Sequence, residues 1–295
     1  AHVPTILIEN HSLKPHEQRV LGTYVFLEEA MRLLAEQGAD LRRAVAEDSA
    51  LRPEQVPANF ESDAQPAYTR AFKGIRYEIY GSEASGRDEI RWLGEPDPEL
   101  WQTPFYGSRP TLMLDRPQAY WVPGHRPDLI ERLRLHGIEM ETLDAPRTVS
   151  VDMLRLVDPV VSARTNEGHV PISVKTVEAE RRDWTFPPGS VRVSTDQPLG
   201  DVAVLLLEPQ SSEGFFAWGM IPEVLNRVEY IEGYAIAPLA DRMLAADPAL
   251  KAEFEAKLAA EPDFAADGDA RLQWFYERTP YYDDRFRLYP IGRER

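Results

Sequence analysis

Val3-Pro4-Thr5-Ile6-Leu7-Ile8-Glu9-Asn10-His11-Ser12-Leu13-Lys14-Pro15, followed by Glu17-Gln18-Arg19-Val20, is the stretch on which the reading of this chain turns. Residues 3–9 are apolar on both faces of an extended backbone, the pattern of a strand in a parallel sheet covered on both sides. The run ends on a carboxylate at Glu9, and a lone Glu at the mouth of a buried strand is where an enzyme would place a general base. Ser12 can cap the helix that follows, with Pro15 in its first turn. Val20, Tyr24, Leu27, Met31 and Leu34 recur at helical spacing, which predicts one inward-packing face. Gly38 suits a C-terminal stop, and Asp40–Ala50 reads as a further, shorter helix.

Composition bounds what the chain can do. At 295 residues it holds one large or two modest domains. Hydrophobic residues at 43% and charged residues at 28% are ordinary for a globular protein. A net charge of -16 argues against nucleic acid and against an anionic membrane surface, both of which reward basic patches. Zero cysteines remove disulfides, thiolate metal sites and a Cys nucleophile, and leave the compartment unknown. No apolar run approaches the roughly 18 residues of a membrane span, and no basic-then-apolar leader opens the chain.

Beyond Arg52-Pro53, which begins a linker rich in Pro, Asn and Asp, the middle of the chain (68–193) is β-rich. Ile75, Tyr77 and Ile79 alternate with Arg76, Glu78 and Tyr80, the period of a half-buried strand. Gly81-Ser82-Glu83-Ala84-Ser85-Gly86 returns the chain into Ile90–Leu93. Further strands are expected at Thr111–Leu114, Ala119–Val122, Ile138–Leu143, Val149–Val157, Val170–Glu180 and Ser190–Val193. A helix interrupts them: Pro127 in its first turn, Leu129, Ile130 and Leu133 on one face, Gly137 at its end. Residues 201–295 read as helical, with Asp247-Pro248 opening one helix and Leu272 to Tyr276 marking another. The aromatic tail Thr279 to Asp284 is expected to dock. The fold class is therefore mixed α/β, an α+β arrangement with a leading strand and helix, a β-rich middle and a helical last third.

Ile8-Glu9-Asn10-His11-Ser12-Leu13-Lys14-Pro15 with Arg19-Val20 resembles the segment near the end of the catalytic domain in carboxypeptidase A-like zinc metallopeptidases, more narrowly in bacterial members with a long C-terminal extension. The remainder resembles that extension, through Gly189-Ser190-Val191-Arg192-Val193, Thr195-Asp196-Gln197-Pro198-Leu199-Gly200, Leu207-Glu208-Pro209, Phe216-Ala217-Trp218-Gly219 and Glu229-Tyr230-Ile231-Glu232-Gly233-Tyr234. The resemblance implies that residues 1–52 are the last strand and helices of a carboxypeptidase-like α/β domain whose beginning lies outside this chain. It implies that 53–295 is a mixed extension domain, and that the substrate is a peptide or a small molecule. It places Glu9 in the general acid/base position, facing a metal-bound water whose pKa the zinc brings toward ~7. The zinc ligands, a His-x-x-Glu pair and a later His, would lie upstream, in a missing N-terminal half.

Substitutes within the chain are weak. His136-Gly137-Ile138-Glu139 is formally His-x-x-Glu, but Gly137 separates helix from strand, so the two side chains share no helical face. His11 and His16 straddle a helix start; His2, His125 and His169 have no partners in sequence. No nucleophile elbow, dinucleotide loop or Walker motif occurs. Ser211-Ser212-Glu213-Gly214 before Phe215 reads as a polar turn on an aromatic core. Tyr77, Tyr80, Trp92, Trp101, Tyr106, Tyr120 and Trp121 could line a peptide or sugar groove, or simply pack sheets. Asp283-Asp284 and Glu28-Glu29 read as solvated charges, although paired acids can also hydrolyse glycosides. Besides the carboxypeptidase-like hydrolase, two further functions fit: a stand-alone hydrolase with a different acid-based site, and a non-catalytic peptide-binding or scaffold domain.

Overall fold

A computed structural model describes residues 2–12, 14–228 and 230–295. Leu13 and Glu229, which fall within two of the quoted motifs, lie outside the described residues. The protein is mixed α/β, and it divides into two units: residues 1–52 with 117–295, and residues 53–116.

The smaller unit is a two-stranded antiparallel ribbon, β1 (Gln55–Ser82) against β2 (Arg87–Asp115). Its turn falls at the predicted glycine-containing loop, with Gly86 at φ +70°. The stretch from Arg52 onward is no linker; from Gln55 it is already strand, irregular where the register shifts around Pro57 and Pro66. Proline lacks the N–H that a ladder needs, so such positions interrupt pairing without ending it.

The larger unit opens with residues 2–12 outside any helix or strand ladder, then helix α1 (His16–Ser49). The expected leading strand is therefore absent: residues 3–9 pair with no neighbour among the described residues, and a strand exists only through its ladder. The helix also runs straight through Gly38, absorbing a cost of about 1 kcal/mol relative to Ala, so the separate helix at Asp40–Ala50 merges into α1. Val20, Tyr24, Leu27, Met31 and Leu34 are all exposed, so the predicted inward face is uncovered. Leu21, Val25, Phe26 and Leu33 are exposed too, spreading apolar surface around the helix.

The rest of this unit is built on a six-stranded, wholly antiparallel sheet. Its strands are β3 (Ala119–Val122), β4 (Glu141–Thr142), β5 (Arg147–Val157), β8 (Thr176–Phe186), β9 (Val191–Ser194) and β10 (Gly292–Glu294). They lie in the order β4-β9-β3-β10-β5-β8. A small ladder joins β6 (Val160–Val161) to β7 (Ile172–Ser173). All four residues of β3 are buried, so both faces of the sheet are covered there. On one face Trp121 stacks on Phe186 at 5.4 Å between ring centroids, packed with Val151, Met153, Leu143 and Leu288. Gly292 sits where a Cβ would lie 2.9 Å from Val151 Cγ2 and 3.1 Å from the Phe186 ring, so the last strand fits only without a side chain.

Helix α2 (Pro127–Leu135) buries Leu129, Ile130 and Leu133, as its periodicity predicts. Helix α3 (Gly200–Leu207) is almost wholly apolar and buries Ala203, Val204 and Leu207. A single 3₁₀ turn at Pro222–Leu225 precedes four helices: α4 (Gly233–Ala246), α5 (Pro248–Ala260), α6 (Pro262–Ala266) and α7 (Gly268–Tyr276). Asp247 caps α5 through the N–H groups of Ala249 and Leu250 (2.9 and 3.1 Å), and Asp267 caps α7 in the same way. Their shared core is Phe254, Trp274, Phe275 and Tyr276 with Ile236 and Ala240. The aromatic tail docks as expected: Tyr282 meets the Tyr276 ring edge-on, and the Tyr276 hydroxyl donates to the Tyr281 carbonyl at 3.1 Å.

Glu294 on β10 accepts both guanidinium donors of Arg192 and the Trp121 indole N–H, each at 2.8 Å. The Arg192 bond first, and the Trp121 bond after it, hold the Glu294 carboxyl below the usual glutamate range. A depressed folded pKa contributes stability that is present above the unfolded value and lost as pH falls through the folded one. The expected result is that Glu294→Gln lowers Tm at neutral pH, and that this difference shrinks as pH drops below about 4.3. Thermal melts from pH 7 to pH 3 check this; a difference that stays constant across the range overturns it.

Candidate functional site

The N-terminal segment is tied along α1 at two points. His2 Nδ1 lies 2.5 Å from Asp48 Oδ2, and Asn10 Nδ2 donates to Thr23 Oγ1 at 2.8 Å. Thr23 Oγ1 itself donates to the Arg19 carbonyl at 3.0 Å, fixing the acceptor that Asn10 uses. Between segment and helix lies an open groove of about 520 Å³, lined by Ile8, Asn10, His16, Arg19, Val20, Thr23, Tyr24 and Leu27. Glu9 stands between two of these residues, exposed to solvent and in no ion pair among the described residues. No strand or helix among the described residues covers Glu9.

Zinc does not fit the described residues. No group of three or more His, Asp or Glu side chains among them could hold a metal ion. His136 closes α2, its Nδ1 2.7 Å from the Arg132 carbonyl, and Gly137 at φ +79° turns the chain away before Glu139. His16 faces the groove beside α1, without a carboxylate among the groove's lining residues.

The charge cluster that sequence reasoning missed lies under the sheet. Glu208, at 1% exposure, accepts the Tyr120 hydroxyl at 2.6 Å and pairs with Arg293 Nε at 3.0 Å. Burial, and after it the Glu208 charge, push the hydroxyls of Tyr120 and Tyr289 well above the ordinary phenol value. Nearby, buried Arg126 donates to both oxygens of Asp128 (3.0 and 2.9 Å), to Glu223 at 2.6 Å and to the Met220 carbonyl. No substrate can touch a carboxylate this enclosed, so Glu208 organises the sheet and α3 rather than reacting. The only sequence signal for it was its place in Leu207-Glu208-Pro209; Arg293 is too distant in the chain to be paired by inspection.

Other quoted motifs are structural in the same sense. The Gln197 side chain accepts from the Glu139 N–H at 2.8 Å and donates to the Glu139 carbonyl at 3.0 Å, holding the entry to β4. Ser190 Oγ accepts the Gly124 N–H at 2.9 Å, in a crossing so close that a Cβ on Gly124 would lie 2.7 to 2.8 Å from three backbone atoms. Ser211 is buried at a turn whose Gly214 packs on the Glu208 and Leu205 carbonyls, and Phe215 and Phe216 enter the core. This is the polar turn and aromatic core that the residues suggested. Asp284 pairs with Arg182, and Glu28 with Arg32. Tyr120 and Trp121 are core, whereas Tyr77 and Trp92 stand exposed on the ribbon.

Comparison with known proteins returns carboxypeptidases. The chain is 32% identical over 115 residues to carboxypeptidase 2 of Trichophyton rubrum, covering 39% of this chain and 21% of that protein. It is 32% identical over 111 residues to carboxypeptidase 2 of Trichophyton tonsurans, covering 38% and 20%. A probable carboxypeptidase 2 of Arthroderma benhamiae is 29% identical over 102 residues, covering 35% and 19%. These relatives are fungal, and the chain spans about a fifth of their length. No family model and no solved structure matches the chain. A relationship to carboxypeptidases is thus supported over little more than a third of the sequence. Among the described residues no helix is long and apolar enough to cross a membrane.

Proposed function

We propose that this chain is the C-terminal part of a carboxypeptidase-like hydrolase acting on peptide or amide bonds, with Glu9 in the general acid/base position. The observation that carries the reading is the 32% identity over 115 residues to carboxypeptidase 2. Two structural features agree with it. Glu9 sits accessible at the edge of a polar and apolar groove, and the apolar surface of α1 beside it lacks the cover that a larger domain would give. In this role the Glu9 carboxylate takes a proton from the attacking water and returns it to the leaving amine. Any metal that activates the water would be held by groups other than the described residues.

The test joins this chain to the remainder of its reading frame and follows release of the C-terminal residue from peptides with free and amidated ends. Glu9→Gln is expected to lower kcat by roughly 10²- to 10⁴-fold with KM little changed. Retained kcat removes Glu9 from the reaction. Turnover by this chain alone, insensitive to Glu9→Gln, favours a different acid-based site; peptide binding without turnover in the joined protein favours a scaffold.

A further inference from the structure

Glu9 takes its place from the residue after it. Ile8 and Asn10 line the groove along α1, and Glu9 between them does not. Of these two flanking side chains, one is aliphatic and the other is hydrogen-bonded to the helix. Asn10 Nδ2 donates to Thr23 Oγ1 at 2.8 Å and to the Arg19 carbonyl at 3.4 Å, and both Asn10 and Thr23 are half-buried. Asn10 Oδ1 lies beside Gly22, where a Cβ would stand 3.6 Å away in ordinary contact, so the amide rests on the helix surface. The other tie of the segment is at its far end, where His2 meets Asp48. Thr5 Oγ1 turns back on the Val3 carbonyl, within the segment itself.

The bond between Asn10 and Thr23 has a fixed polarity. A threonine hydroxyl carries one proton, and Thr23 donates it to the Arg19 carbonyl at 3.0 Å. The lone pairs that remain can only accept, so position 10 must bring a donor. An amide NH2 does this; an apolar side chain of the same size does not.

We infer that Asn10 and Thr23 are a positioning pair for Glu9, an inference that rests on the acid/base reading of that residue. The pair fixes the chain at residue 10 onto α1 and thereby sets where the adjoining carboxylate stands. Neither residue reacts; each acts through Glu9. Proton transfer requires the base within hydrogen-bond reach of the proton it takes, and a misplacement of about 1 Å costs on the order of 10²-fold in rate.

The test uses the chain joined to the remainder of its reading frame, with Glu9→Gln measured in parallel. Thr23→Val keeps the side-chain volume and removes the acceptor. It is expected to lower kcat about 10- to 100-fold with KM changed by less than about twofold. Asn10→Ala is expected to do the same, and the double variant to lose no more than either alone, because both break one bond. Thr23→Ser keeps the hydroxyl and is expected to retain kcat. Ser49→Ala is the matched control: Ser49 Oγ donates to the Val45 carbonyl at 2.6 Å, the bond that Thr23 makes to Arg19, in a part of α1 remote from Asn10. Its kcat should be unchanged. Placed on Glu9→Gln, Thr23→Val is expected to add nothing. A loss in Glu9→Gln but none in Thr23→Val, an effect of Thr23→Val on KM alone, or a further loss in the combined variant overturns the positioning role. Retained kcat in Glu9→Gln instead removes the acid/base reading, and the positioning role falls with it.

Discussion

Glu208→Ala is expected to destabilise the larger unit by about 3–5 kcal/mol, the cost of breaking a buried ion pair from one side. The carboxylate is almost fully enclosed, and its removal leaves the Arg293 guanidinium and the Tyr120 hydroxyl without the acceptor that both of them use. For a unit of this size the loss corresponds to a fall in Tm on the order of 10 °C. Glu208→Gln should lose less, because the amide oxygen still accepts from Tyr120. A second comparison separates stranded charge from simple loss of volume. Replacing the set together, Glu208→Leu with Arg293→Met and Tyr120→Phe, is expected to recover most of the loss, since apolar groups of similar shape need no partner. A triple variant as unstable as Glu208→Ala would show that packing, and not the unpaired charge, is responsible.

Gly219→Ala is expected to cost about 3 kcal/mol, from two sources that add. Gly219 has φ +69°, a conformation that costs an L-residue roughly 1–2 kcal/mol. Its missing Cβ would also stand 2.2 Å from the Val170 carbonyl oxygen, which belongs to backbone and cannot rotate away. Relief requires the 170–173 segment to shift, and that segment holds the Ile172 N–H to Ala217 O bond at 3.0 Å and the β6–β7 ladder. The result to look for is a lowered Tm together with faster proteolysis between residues 158 and 175. Wild-type stability in Gly219→Ala would mean that the approach is looser than these distances state.

Local patterns were legible where the element carries its own signal. Pro127, the Leu129-Ile130-Leu133 face and Gly137 mark α2, and Ala119 to Val122 marks β3 within its observed bounds. The hairpin turn at 82–86 was equally readable. Where the deciding partner is remote, the signal fails. Gly292-Arg293-Glu294 shows no hydrophobic period, yet it pairs with residues 119–121 and 152. Residues 3–9 have the period of a buried strand, and periodicity cannot reveal whether a neighbouring strand is there to pair with. Gly38 reads as a stop because glycine ends many helices, but two glycines, Gly22 and Gly38, inside 34 helical residues are outvoted by their neighbours. For the candidate site, the place of Glu9 after an apolar run was readable. Its solvent exposure was not, because burial is a property of what packs against it.

The central position of β10 sets an order of events during synthesis. The sheet consists of a β4-β9-β3 half and a β5-β8 half, and residues 292–294 are the strand between them. Everything from Ala119 to Ile291 therefore leaves the ribosome before the two halves can be joined. At ~5–20 residues per second this interval lasts on the order of ten seconds or more. During it the facing edges of β3 and β5 are open templates for any other strand. Until residues 292–294 are made, a nascent chain holds two half-sheets with open edges, and a truncation just upstream of Gly292 would leave those halves unjoined rather than a slightly shortened sheet.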